Sequence, residues 1–241
     1  MAGHSKWAQI KHKKGTTDAK RGQLFSKLVK EITIAAREAG PNPDANPRLR
    51  AACERARAEG LPKDNMERAI ARAAGRGEGA DLSEFLYEAS APGGTPLLIE
   101  GITDNKNRTV NEIKHLLTLH GGRMADPGSL IWNFEKIGMI ACTPPSHVPQ
   151  ETSEMAVIDS GARDFAVGED GVWLVETDYS ARESVCAALR AAGFAIRDTG
   201  HDYKAKSLVP PAVGAEAKIN ALMEALADHN DVQDVYSNLR R

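Results

Sequence analysis

Residues 163–193 read RDFAVGEDGVWLVETDYSARESVCAALRAAG, and their hydrophobic pattern changes period partway along. Arg163–Val167 and Val172–Glu176 are short apolar runs on either side of Gly168-Glu169-Asp170-Gly171. Two such runs joined by a glycine-bounded turn predict a β-hairpin. Ser180 and Glu183 then stand at the S-x-x-E spacing of a capping box, which predicts a helix running to Ala192 and stopped by Gly193. Working outward, Ile137–Cys142 reads as a strand, Glu151–Ser160 as a helix, and Phe194–Leu208 contains a last strand. The order is β-α-β-β-α-β, the ferredoxin-like arrangement.

The segment before it has a different make-up. Phe85–Ser90 and Pro96–Thr103 predict strands around Pro92-Gly93-Gly94, Asn107–His120 a helix closed by Gly121-Gly122, and Leu130–Phe134 a further strand. A helix near Gly214–Asp228 and a strand in Asp231–Leu239 have no partner of their own, and they complete a sheet if they return to the one begun at residue 82. Residues 1–17 show no strong periodicity and read as an extended basic arm, and the rest of 1–80 predicts only helices. One runs from Asp18 to Ala39 with Phe25, Leu28, Val29, Ile32, Ala35, Ala36 and Ala39 on a stripe; one starts at Asn46-Pro47 and ends at Gly60; one is opened by Pro62 and ends near Gly75. The expected fold is therefore α+β, a three-helix domain followed by two α/β domains, at least one of them ferredoxin-like. The expected boundaries are 1–80, 81–134 with 209–241 as one discontinuous domain, and 135–208.

Charge is distributed unevenly over these parts. Residues 1–77 hold 17 Lys and Arg against 8 Asp and Glu, while residues 78–241 hold 14 against 25, so a net charge of −2 conceals a basic front and an acidic remainder. Residues 1–30 carry eight cations and one acid, Asp18. Such asymmetry points to a polyanionic partner for the front. His4, Lys6, Trp7, Lys11, His12, Lys13 and Lys14, continued by Lys20, Arg21 and Lys27, are the candidate nucleic-acid contacts: cations for phosphate, and an indole for stacking on a base or for packing on the first helix. Arg48 with Arg55, and Arg50 with Arg57, share helix faces and serve either phosphate contact or ion pairs with the nearby glutamates. Residues 135–205, with 6 basic and 12 acidic residues, repel phosphate and suit a basic protein partner.

Other functions find no support in the sequence. No HExxH, CxxC or other metal-spaced cluster occurs, nor a P-loop, a strand-linked GxGxxG or a GxSxG nucleophile turn. No catalytic residue, metal or cofactor is expected. Cys53, Cys142 and Cys186 are far apart and odd in number, which fits buried thiols in a reducing cytoplasm. No apolar run is long enough for a bilayer, so no membrane partner is expected. Asn105, Asn107 and Arg108 are candidate secondary contacts in a polar strand-to-helix turn, where helix capping is the competing role.

Five ordered motifs carry a family resemblance. Met1–Trp7 (MAGHSKW) with Ile10–Lys14 and Asp18–Gly22, Pro62–Ile70 (PKDNMERAI), Thr103–Thr109 (TDNKNRT), the glycine-rich Gly121–Phe134, and Asp231–Asn238 (DVQDVYSN) resemble the YebC family over essentially the whole chain. The resemblance implies three domains around a central cleft and cytosolic control of gene expression. Members are labelled DNA-binding transcriptional regulators, and relatives act in translation on the ribosome. It therefore implies promoter DNA or ribosomal RNA as the partner. One motif departs: Tyr87-Glu88-Ala89-Ser90 stands where the family has Tyr-Glu-Gly-Tyr. A protein–protein adaptor working through the acidic domains is the alternative reading.

Overall fold

A computed structural model describes residues 18–75, 81–168 and 170–240. The chain is α+β and divides into two compact units, residues 1–135 with 205–241, and residues 136–204.

The first unit begins with three helices, α1 (Asp18–Ala39), α2 (Pro47–Ala58) and α3 (Lys63–Ala74). Asn46 sets the start of α2 as its sequence predicts. Its side chain accepts the Leu49 N–H at 3.0 Å, and its amide donates to Ala35 O at 2.7 Å and Gly40 O at 2.8 Å, tying α2 to the end of α1. Leu28, Ile32, Ala35 and Ala36 of α1 pack against Leu49, Ala52, Cys53 and Ala56 of α2 and Met66 and Ala69 of α3. The facing alanines let these helices approach closely, so the small core is dense rather than large.

The chain then forms a sheet in the order β3-β1-β2-β8, from β1 (Ser83–Ser90), β2 (Pro96–Thr103), β3 (Arg123–Met124) and β8 (Val232–Ser237). Strand β8 pairs antiparallel with β2, so the end of the sequence joins the sheet begun at residue 83. Helices α4 (Lys106–Leu119) and α7 (Glu216–Ala227) cover it, with Ile113 and Leu117 of α4 and Ile219, Leu222, Met223 and Leu226 of α7 packed on Leu97, Ile99, Val232 and Val235. At Gly101 the β2–β8 register slips by one. A Cβ there would meet Asp231 O at 2.0 Å and the Phe85 ring at 2.4 Å, so only glycine lets the Asp231 turn approach the strand.

The second unit is β4 (Phe134–Thr143), α5 (Gln150–Asp159), β5 (Asp164–Val167), β6 (Trp173–Asp178), α6 (Arg182–Ala191) and β7 (Ala195–Ala205). Its strand order, β5-β6-β4-β7, is that of the ferredoxin-like fold. The core stacks Trp173 on Phe165, ring centroids 5.2 Å apart, under Val157, Val185 and Leu189.

Two local expectations are corrected. Leu130–Phe134 is not a strand: Ile131–Asn133 form a single 3-10 turn, and β4 starts at Phe134. The reason is the buried Glu88 carboxylate, which takes the Gly128, Leu130 and Ile131 N–H groups that a strand would have given to a neighbour. The Ser180–Glu183 capping box also does not form. Tyr179–Ala181 is a 3-10 turn, α6 starts at Arg182 without a side-chain cap, and Glu183 pairs with Arg182.

Candidate nucleic-acid interface

His4, Lys6, Trp7, Lys11, His12, Lys13 and Lys14 lie outside the described residues. The helix that follows them is described, and its cations divide into two groups. Lys20 and Arg21, in the first turns of α1, are exposed. Lys20 faces Asp228 at 3.6 Å and Glu224 at 3.9 Å, and all three side chains are open to solvent. Arg21 sits over the Phe25 ring at 5.4 Å. Pairs as exposed as those of Lys20 contribute little to stability, about 0–1 kcal/mol, and exchange readily for another anion.

Lys27 and Lys30, about two and three turns further on, are engaged with their own chain. Lys27 Nζ donates to Ala227 O at 2.6 Å. Burial lowers its pKa to about 8, against the opposing pull of Asp234 and Asp228. Lys30 Nζ donates to Asn230 O at 3.1 Å and to the Asp231 carboxylate. Asp231 is 2% exposed and is the hub of this region. Besides Lys30 it accepts from Arg108 Nη2 at 2.7 Å, Thr109 Oγ1 at 2.6 Å and Thr103 Oγ1 at 3.3 Å. Burial pushes its carboxyl up, but the hydrogen bonds from Lys30, Thr109 and Arg108 and the charge of Lys30 outweigh burial and hold it well below the usual carboxylate range. The hub joins α1 to β2, α4 and the turn before β8.

The polar turn at 103–109 is part of the same network. Asn105 caps α4 by accepting the Arg108 N–H at 3.0 Å, and Arg108 reaches Asp104 at 2.8 Å as well as Asp231. Asn107 is exposed on the first turn of α4. The arginines of α2 are also largely committed: Arg48 to Glu38 and Glu84, Arg55 to Glu31, and Arg50 to the carbonyls of Pro43 and Asp44. Arg57 and Arg72 are exposed and make no ion pair with a described residue.

An open groove of about 1160 Å³ runs beside the hub, lined by Ser26 and Lys30 of α1, Arg108, Glu112 and His115 of α4, and Asp228–Asp231. Its carboxylates, Asp104, Glu112, Asp228 and Asp231, outnumber its fixed cations, Lys30 and Arg108, so its wall favours neither phosphate nor a nucleic-acid backbone. Glu112, His229 and Asp231 bring ligand-type atoms within 4.8 Å of one another. They fit a dication poorly. His229 Nδ1 already accepts the Asp231 N–H at 3.1 Å, its Nε2 faces Glu112 at 3.0 Å, and two cations occupy the carboxylate of Asp231. The trio is a hydrogen-bonded joint.

Sequence reading did not pair Lys30 with Asp231, which are 201 residues apart. The available signal was Asp231 at the head of a matched motif, which marks the residue but not its partner.

A basic helical region tied to a sheet through one buried carboxylate, followed by a ferredoxin-like unit, defines a multidomain α+β protein with its positive charge at the front. The chain belongs to the TACO1/YebC family: residues 5–76 match the TACO1/YebC protein N-terminal domain, and residues 82–239 match the TACO1/YebC second and third domain. Among similar proteins, a probable transcriptional regulatory protein of Thermomicrobium roseum is 45% identical over 239 residues, covering 99% of this chain and 96% of the relative. One of Thermotoga maritima is 44% identical over 238 residues, covering 99% and 93%. The crystal structure of a conserved hypothetical protein from Aquifex aeolicus superimposes with a TM-score of 0.84 at 39% identity, covering 98% of this chain and 97% of that one. Among the described residues, no helix is long and apolar enough to cross a membrane.

Proposed function

We propose that this chain is a non-enzymatic, cytoplasmic regulator of gene expression that binds nucleic acid through its N-terminal basic region. One observation carries the reading: Lys6, Lys11, Lys13 and Lys14 stand in residues 1–17 with no acid among them, followed by the exposed Lys20 and Arg21. The similar proteins named probable transcriptional regulatory protein support the regulatory part. The contact set is His4, Lys6, Trp7, Lys11, His12, Lys13 and Lys14, with Lys20 and Arg21 extending it along α1. Phosphate neutralisation supplies affinity, common to promoter DNA and ribosomal RNA, and Trp7 adds stacking. Asn107 and Arg108 are secondary contacts at most, because Arg108 is held by Asp104 and Asp231.

Replacing Lys11, Lys13 and Lys14 together with Glu tests it. Gel shift and ribosome sedimentation should both lose the complex, and unchanged binding in both overturns the reading. Crosslinking in cells, followed by sequencing of the attached strand, assigns DNA or RNA. The acidic second unit has a separate task. Its exposed Met155 and Ile158, 56% and 57% accessible, lie on α5 among Glu151, Glu154 and Asp159, a surface suited to a basic protein partner.

A further inference from the structure

Trp132 is 65% exposed, yet it is not loosely held. Its Nε1 donates to Ser129 O at 2.7 Å, so the edge of the indole is satisfied within its own loop and its faces remain to be used. The loop is built around a buried anion. Glu88, 7% exposed, accepts N–H groups from Gly128, from Leu130 at 2.5 Å and from Ile131 at 2.9 Å. Burying a carboxylate is costly, and three charge-assisted hydrogen bonds offset that cost only in this one loop conformation. Ser129 Oγ on Asp126 O at 2.6 Å and Asn133 Nδ2 on Leu130 O at 2.9 Å close the remaining freedom. A loop so fixed presents an aromatic ring to solvent.

The surroundings indicate what the ring receives. None of the other exposed large hydrophobic side chains described belongs to this loop, so the ring is the loop's one large exposed apolar surface among the described residues. Its immediate neighbours in sequence, Ile131 and Asn133, are both half-buried and do not extend that surface. The Lys206 N–H donates to Asn133 O at 2.9 Å, which sets Lys206 beside the residue next to Trp132. Lys206 is exposed and forms no ion pair with a described residue. A satisfied indole edge, an open ring face and an exposed lysine, without an ion pair among the described residues, whose backbone is bonded to the residue next to the ring match a nucleotide: a base for the face and a phosphate for the ammonium. We propose that Trp132 is a preorganised stacking platform for an unpaired nucleobase, with Lys206 on the adjoining phosphate. The inference rests on the nucleic-acid reading above and adds that part of the bound strand is single-stranded at this loop.

The test uses the full chain and fluorescently labelled oligonucleotides, one single-stranded and one duplex, read by anisotropy. Trp132→Ala should weaken single-strand binding between about fivefold and a hundredfold, with duplex binding unchanged. Trp132→Phe should recover most of the loss, and Lys206→Glu should weaken binding in a salt-dependent way. Because the ring is exposed, the circular dichroism of Trp132→Ala should match the parent. Single-strand binding by Trp132→Ala equal to the parent's, with Lys11, Lys13 and Lys14→Glu abolishing it, overturns the platform and leaves the proposed function standing. An equal loss on duplex and single strand, or no rescue by Phe, also overturns it. If the parent chain binds neither oligonucleotide, both readings fall together.

Discussion

Asp231→Asn removes one negative charge and keeps the shape of the side chain. In the folded protein Asp231 holds Lys30, whose side chain is 17% exposed, and Arg108, 42% exposed, while remaining 2% exposed itself. The Arg108 pair is discounted for solvent screening, about 0–1 kcal/mol. The Lys30 pair is largely enclosed, and removing one partner of such a pair costs about 3 kcal/mol or more because the other charge remains buried. We expect Asp231→Asn to lose about 3–4 kcal/mol at pH 7. Urea unfolding followed at the first unit, with amide exchange of Ile102, whose N–H donates to Asp231 O at 2.8 Å, reads the loss. The carboxyl is depressed in the fold, so its contribution is complete above the unfolded value near 4 and is lost as pH falls from there toward the lower folded value. The gap between parent and variant should therefore be equal at pH 7 and pH 5 and shrink below about pH 4. A gap under about 1 kcal/mol, or one that widens on acidification, refutes the idea that this carboxylate holds α1 to the sheet.

Other outcomes follow from the same geometry. Gly101→Ala places a methyl 2.0 Å from Asp231 O and 2.4 Å from the Phe85 ring; a drop of about 3 kcal/mol or insoluble expression is expected, and a melting temperature within a few degrees of the parent refutes it. Lys27 releases its proton in the fold near pH 8 and in the unfolded chain near 10.5. Stability should rise with pH between those values by up to about 1.4 kcal/mol per unit, and a Lys27→Met variant that keeps this rise would contradict the assignment. Glu88→Gln puts a neutral amide where three N–H groups converge and should cost about 1–3 kcal/mol, with faster exchange of the Gly128, Leu130 and Ile131 amides as the check. If the arm neutralises about six phosphates, affinity should fall roughly a thousandfold between 50 and 200 mM salt, and a flat salt profile excludes it.

The helices of the first region were readable because their signals are local. Asn46-Pro47 both caps and starts α2, and the α1 stripe that buries Leu28, Ile32, Ala35 and Ala36 repeats at the helical period. The ferredoxin-like order was readable because turns and periods alternate in sequence. The misreadings share a cause. Leu130–Phe134 is an apolar run that reads as a strand, but its amides are taken by Glu88 from more than forty residues away. Ser180 and Glu183 have capping spacing, but Arg182 claims Glu183 and donates to Gly200 O at 3.2 Å, so the helix starts later. The Asp231 hub was hidden because its participants come from α1, the β2–α4 turn and the turn before the last strand, and only the fold brings them together. Trp132 was passed over for a similar reason: its sequence context reads as a buried strand, and exposure is a tertiary property.

The arrangement of α1 constrains where phosphate can bind. Cations and carboxylates in residues 18–75 are interleaved closely enough to pair, and in the fold Arg37, Arg48, Arg55 and Lys63 all face acids. Lys27 is spent on the end of α7 and Lys30 on Asp231, so offering Lys30 to a polyanion would withdraw it from Asp231 and destabilise the fold by the few kcal/mol worked out above. Net charge over the whole region therefore overstates what is available to a ligand. Residues 1–17 differ, because they contain Lys6, Lys11, Lys13 and Lys14 and no acid at all; pairing within that stretch has no carboxylate to use. A phosphate contact that left the fold intact would draw on those four lysines first, then on Lys20, whose exposed partners are exchangeable at little cost. It follows that charge reversal should act in opposite ways along the region. At Lys11, Lys13 and Lys14 it should abolish binding at unchanged melting temperature, whereas at Lys30 it should lower the melting temperature. A Lys30→Glu variant as stable as the parent but defective in binding would reverse this order and place the contact on the sheet side of α1.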